Sequence, residues 1–157
     1  MLSMTKIAKK VRSYTEVVNR INNLKNLSGH FVIEDLGQIR HSTESYDMFC
    51  IRVFVSIEKL SVKKLCLSAG IHGDEPAGIE GILSFLENIH QYEKLLKGIE
   101  LTVFPCDNPF GYERNIRSNA DGLDLNREFQ NSSAQEIRLI KKAIGQGNFD
   151  IALDLHE

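Results

Sequence analysis

His72 and Glu75 stand three residues apart in His72-Gly73-Asp74-Glu75, and a second histidine, His156, lies far downstream in Asp154-Leu155-His156. These residue types can hold a metal ion. Catalytic zinc takes three protein ligands drawn from imidazole and carboxylate and keeps a further position for water. A short spacing followed by a long one suits such a site, with two ligands from one turn and a third closing it from a distant segment. Taken alone, H-x-x-E recurs by chance, and a turn histidine beside acids is ordinarily just solvated. His156 strengthens the reading because it is a polar residue placed where an apolar run leaves the core.

Between these motifs lies Arg117-Ser118-Asn119-Ala120-Asp121-Gly122-Leu123-Asp124-Leu125-Asn126-Arg127, dense in Arg, Asn and Asp. A long solvated loop is the plain reading. Loops beyond ~12–15 residues in a compact domain are, however, usually functional or disordered. This one carries an arginine fork suited to a carboxylate or oxyanion, and neutral amide donors beside it.

The elements that must position these groups follow from periodicity. Residues 14–24 have apolar positions at helical spacing. Residues 30–36 and 48–55 read as strands separated by a polar turn around 41–45. From residue 64 the pattern alternates: strand 64–69, helix 76–89 with Pro76 in its first turn, and strand 99–105. A polar stretch over 107–131 precedes helix 133–144, with Ser132 or Ser133 as N-cap and Gly145 as its stop, and then strand 150–155. Such alternation predicts an α/β fold: a mixed, mostly parallel sheet with helices on both faces and an antiparallel edge from the early strands. His72, Asn108 and His156 each follow a strand. In a parallel α/β sheet ligands bind outside the carboxyl ends of the strands, so the three segments should converge.

With those residues in view, the chain resembles the zinc metallocarboxypeptidase superfamily, which includes the succinylglutamate desuccinylase/aspartoacylase branch. The resemblance rests on four ordered motifs: G-I-H-G-D-E-P-A-G (70–78), N-P-F-G (108–111), R-x-N-x-x-G-x-D-L-N-R (117–127) and D-L-H (154–156). It implies a zinc carboxypeptidase-like fold and one zinc ion held by His72, Glu75 and His156. Arg117 would polarise the scissile carbonyl and stabilise the oxyanion, while Asn126 and Arg127 would grip the substrate's carboxylate. Asp74 would shape its loop or brace a ligand, and Asp154 would either orient a ligand or cap its strand. The implied substrate is a peptide or an N-acyl amino acid with a free carboxylate. N-P-x-G and G-x-D-L-N-R look like the carboxypeptidases, whereas Glu128-Phe129 after the motif is closer to the acylase branch.

The resemblance also implies a general-base glutamate on a strand beyond the third ligand, and the sequence ends at Glu157, one residue after His156. Adjacent residues of an extended strand point to opposite faces, so Glu157 is expected to be a solvated terminal residue rather than that base. Residues 1–13 are expected to form a loosely ordered segment and 14–157 the N-terminal part of one catalytic domain. The first reading is a zinc-dependent hydrolase of an amide bond next to a carboxylate, releasing C-terminal residues from peptides or deacylating N-acyl amino acids. The second, which the absent base favours, is a module that binds metal and carboxylate without turnover. A third reading, a generic α/β domain with incidental surface histidines, leaves the order of the four motifs unexplained.

Bulk properties narrow the partners. The net charge of −2 and pI near 6.2 point away from a nucleic-acid footprint or a polybasic membrane surface. No run approaches the ~20 apolar residues of a membrane helix, and no signal-like segment follows the basic Lys6–Arg12 stretch. Cys50, Cys66 and Cys106 form no C-x-x-C, which fits buried thiols in a reducing cytoplasm. Oligomeric state is not legible.

Overall fold

A computed structural model describes residues 9–27, 31–55, 62–131, 133–145 and 147–157. Helix α1 (Tyr14–Asn23) forms where the apolar stripe was expected: Tyr14, Val17 and Ile21 are buried on one face, and Leu24 continues it into a 3-10 turn. Strands β1 (Phe31–His41) and β2 (Glu44–Phe54) form one long antiparallel hairpin, considerably longer than the two separate strands expected. The polar residues that hid its tip belong to the ladder, and Tyr46, Met48 and Cys50 still alternate inward. A bulge at Asp35/Gly37 shifts the register, with Gly37 at φ 109°, a conformation glycine adopts at no steric cost. Residue 30, expected to start the first strand, lies outside the described residues.

Strand β3 (Lys63–Ala69) leads into helix α2 (Pro76–Glu87), a short helix α3 (Glu93–Leu96), and strand β4 (Ile99–Phe104). The polar stretch expected after β4 is not structureless. It holds helix α4 (Pro109–Arg114), whose N-cap Asn108 accepts from the Gly111 N–H, and helix α5 (Leu125–Glu128), capped by Asp124. Helix α6 (Gln135–Ile144) ends at Gly145 as expected, but its N-cap is Ala134 rather than Ser133, and residue 132 lies outside the described residues. Strand β5 (Ile151–Leu155) completes the sheet.

The order is β1-β2-β4-β3-β5. β1–β2 and β2–β4 are antiparallel, while β3–β4 and β3–β5 are parallel, so the pairings divide evenly where a mostly parallel sheet was expected. The reason is that the hairpin joins β4 through β2, adding a second antiparallel pairing. Side chains alternate across the sheet: Leu101 and Val103 pack beneath α1 and α2, whereas Cys66 and Phe104 face Ile137 and Ile140 of α6. Helices therefore cover both faces. The outer strand β5 is covered least, with Ile151 and Leu153 each half exposed.

The loose segment expected over 1–13 lies outside the described residues up to position 8. At its other end, the backbone N–H groups of Val11 and Arg12 donate to Glu113 O of α4. All three cysteines are free and buried, which pushes the Cys50 thiol up to about 12 and the Cys66 thiol up to about 11. Among the described residues no helix is long and apolar enough to cross a membrane.

Candidate metal centre

The parallel pairing of β3 with β5 sets Ala69 opposite Leu155. The segments leaving these two strand ends therefore emerge side by side. After β3, Gly70 turns the chain at φ 69° and buried Ile71 anchors the turn, which leaves His72 buried and Glu75 at the N-cap of α2. After β5, His156 arrives with its ring centroid 5.0 Å from that of His72. The segment after β4 is drawn in as well, because the Asp107 and Asn108 N–H groups donate to Ala69 O and Gly70 O, both at 3.0 Å. The three strand ends converge as the sequence predicts.

Two close backbone approaches make this possible. A Cβ on Gly73 would collide with the backbone of Gly111 and Tyr112, so the histidine turn touches α4 main chain to main chain. A Cβ on Gly78 would lie 2.9 Å from Leu155 O, so α2 presses on the end of β5.

The three predicted ligands come together, with one ligand atom of each of His72, Glu75 and His156 lying within 4.8 Å of the others. His72 Nδ1 is 2.9 Å from Glu75 Oε1, and His156 Nδ1 is 2.8 Å from Glu75 Oε2. The far nitrogens meet other carboxylates: His72 Nε2 lies 3.2 Å from Asp124 Oδ1, and His156 Nε2 lies 2.9 Å from Asp154 Oδ2. Aspartates behind both rings favour the tautomer with the proton on Nε2. With that tautomer, the two Nδ1 atoms turned toward the Glu75 carboxylate would present lone pairs to a cation held between them. Two imidazole nitrogens and a carboxylate oxygen are a donor set that zinc accepts.

The carboxylates and the histidines also shift one another's titration. Partial burial alone would raise the Glu75 carboxyl, but the two histidines and the Glu157 N–H hold it below its usual range. Burial alone would lower His156, but Glu75 and Asp154 hold it above its usual value. Asp124 is likewise held low, by His72 and Arg117, against the opposing effect of burial.

Asp124 is the hub that the sequence reading missed. Its Oδ2 accepts from Arg117 Nε and Nη2, both at 3.2 Å, its Oδ1 accepts from the Asn126 N–H, and Arg127 Nε lies 3.6 Å away. Arg117 also brings Nη1 to 3.8 Å from Glu75 Oε1. Arg117 thus lies beside the cluster and is half exposed, whereas Arg127, largely exposed, and the Asn126 main chain reach it only through Asp124. Asp154 does meet His156, whereas Asp74 is exposed and bonded by none of the described residues. Asp124 was detectable from its place opening D-L-N-R. Glu157 is exposed, as expected, and its carboxylate also accepts from the Ala77 N–H at the start of α2, at 3.1 Å.

The chain is similar to several known proteins. Carboxypeptidase 2 of Trichophyton tonsurans is 36% identical over 108 residues, covering 65% of this chain and 20% of that protein. Carboxypeptidase E of Caenorhabditis elegans is 32% identical over 111 residues, covering 58% of this chain and 23% of that protein. The chain thus spans about a fifth of the length of the curated relatives it matches. Among solved structures, the metallo-carboxypeptidase of Burkholderia cenocepacia shares the fold with a TM-score of 0.78 at 20% identity, over 92% of this chain and 41% of that one. A metallo-carboxypeptidase of Pseudomonas aeruginosa, in complex with (2-guanidinoethylmercapto)succinic acid, has a TM-score of 0.68 at 25% identity, over 92% and 40%. The succinylglutamate desuccinylase/aspartoacylase catalytic-domain family matches residues 61–157, and the chain belongs to that family.

Proposed function

We propose that this chain carries the zinc- and carboxylate-binding half of a hydrolase that cleaves an amide bond next to a carboxylate, in the manner of a metallocarboxypeptidase. The observation that carries this reading is the convergence of His72 Nδ1 and His156 Nδ1 on the Glu75 carboxylate, with an aspartate behind each ring. Zinc held there would supply Lewis-acid polarisation of a carbonyl and a lowered pKa for water. The protein's own groups do the rest. Asp124 and Asp154 keep the two imidazoles in one tautomer and orientation. Arg117, beside Glu75, donates N–H groups to the oxygen that gains charge as the carbonyl is attacked. Arg127 and Asn126, at the open rim, bind the substrate's carboxylate, for which a planar fork is well shaped.

A titration monitored by calorimetry tests the metal site. Wild type should take up one zinc ion, and His72→Ala should lose that binding; equal stoichiometric binding by both would sink the assignment. A second reading, deacylation of an N-acyl amino acid, draws on the family match and on Glu128-Phe129 after the Asn-Arg pair. Competition on the zinc-loaded protein between a C-terminal dipeptide and an N-acyl amino acid separates the two by which ligand displaces the other. The (2-guanidinoethylmercapto)succinic acid found in complex with the Pseudomonas protein is a suitable reporter ligand.

A further inference from the structure

The segment that presents Arg117 and Asp124 is held by two buried residues that the proposed chemistry does not use. Asn119 is 2% exposed and Glu136, in the first turn of α6, is 1% exposed. The Asn119 side chain works in two directions. Its Oδ1 accepts from the Asp121 N–H at 3.1 Å and the Leu123 N–H at 2.9 Å, closing the loop from inside. Its Nδ2 donates to both Glu136 oxygens, at 3.3 and 3.2 Å. Main-chain bonds from Asn119 N to Leu123 O and from Gly122 N to Asn119 O, both 3.0 Å, complete a tight turn with Gly122 at φ 77°.

Arg117 and Asp124 flank this closed loop, and each depends on it. Arg117 O accepts from the Gly73 N–H at 3.4 Å and from Asn108 Nδ2 at 3.1 Å, tying one flank to the histidine turn. Asp124 reaches His72 from the other. On the far side, Glu136 serves a helix start whose N-cap, Ala134, offers no side-chain acceptor. An acid in a first helical turn is favoured by the helix dipole. One buried amide therefore joins a rigid helix to the loop that faces the cluster.

We propose that Asn119 and Glu136 form a latch that sets the positions of Arg117 and Asp124 against the His72–Glu75–His156 cluster. Both are positioning residues, and their role in zinc affinity rests on the metal-site reading above. The latch reaches His72 directly and His156 only through the shared Glu75. His72 is braced by Asp124 from the latched loop, whereas His156 is braced by Asp154 from β5, which makes His156 an internal control.

The test is nitrogen-15 NMR of the two imidazoles in zinc-free protein, combined with zinc affinity by chelator competition. Asn119→Asp sets two carboxylates against each other in the interior. It should shift the His72 Nε2 resonance while leaving that of His156 in place, and weaken zinc binding by about tenfold. Glu136→Gln keeps an acceptor oxygen for Asn119 and should retain the wild-type His72 resonance and affinity. If Asn119→Asp does not fold, Glu136→Ala, which leaves the inner turn intact, should give the same selective His72 shift. An unchanged His72 resonance, or equal shifts of both histidines, would overturn the latch. A selective His72 shift in a protein whose wild type binds no zinc would support the latch and sink the metal reading instead.

Discussion

His72 and Asp124, far apart in sequence, are joined through the nitrogen that faces away from Glu75: Nε2 to Oδ1, 3.2 Å. An anionic partner there makes the opposite nitrogen a better donor to a metal, and loss of such a partner typically costs 10–100-fold in affinity. Asp124→Asn keeps an acceptor but removes the charge. Zinc affinity, measured by competition with a chelating dye, should fall by about tenfold or more with little change in thermal stability. An affinity within about twofold of wild type would show that the aspartate is a spectator.

Gly73 has no room for a side chain. Its neighbour across the contact is the backbone of Gly111 and Tyr112, which cannot rotate away as a flexible side chain could. Overpacking of this kind typically costs 1–3 kcal/mol. Gly73→Ala should lie at the upper end, about 3 kcal/mol in urea unfolding, and should also weaken zinc binding, because the next residue along the displaced backbone on one side is His72. Gly81, whose Cβ would meet nothing within 4 Å, is the control: Gly81→Ala should be neutral or mildly stabilising in the middle of α2.

Glu113 is buried on α4, where it accepts from the Tyr14 N–H at 3.1 Å and the Tyr46 hydroxyl at 2.9 Å and pairs with Lys10. Burial alone would raise its carboxyl, but Lys10, Tyr14 and Tyr46 together hold it below its usual range. A carboxyl whose folded pKa is depressed contributes stability above its unfolded value, near ~4.3, and loses it as pH falls through the lower folded value. Glu113→Gln should therefore cost about 2 kcal/mol at pH 7. The difference from wild type should narrow as pH drops below about 4. A penalty that stayed constant down to pH 2 would assign the effect to packing.

Among the described residues strand β5 pairs with β3 on one side and with no strand on the other, and Ile151 and Leu153 are each 50% exposed. An exposed apolar edge strand is a template for self-association, and lysine is a usual way of blocking it. Leu153→Lys should reduce concentration-dependent light scattering while leaving the far-ultraviolet circular dichroism unchanged. Undiminished scattering would locate the sticky surface elsewhere.

The elements most legible in the sequence were those whose periodicity came from burial on one face. The apolar stripe of α1, the β3–α2–β4 alternation and the Gly145 stop all matched, because period and packing agree there. The β1–β2 hairpin is longer than its sequence suggests because Gln38, Arg40 and Asp47, on either side of the 41–45 turn, interrupt the apolar pattern, and only the cross-strand ladder makes strand of them. Helices α4 and α5 were hidden for a related reason: each is too short to show a period and is set by its caps, Asn108 and Asp124.

By itself, the sequence picked out the three side chains that converge. His72, Glu75 and His156 were identifiable because strand ends in an α/β sheet face one edge, and their order along the chain matches a family pattern. Only the tertiary structure decided which carboxylates stand behind which histidine. Asp74, adjacent in sequence, is exposed, while Asp124 takes the place beside His72. That choice depends on the buried Asn119–Glu136 contact folding the intervening loop back, and on the β3–β5 register bringing the two histidines together. Both are long-range contacts, and local residue preference carries no information about them.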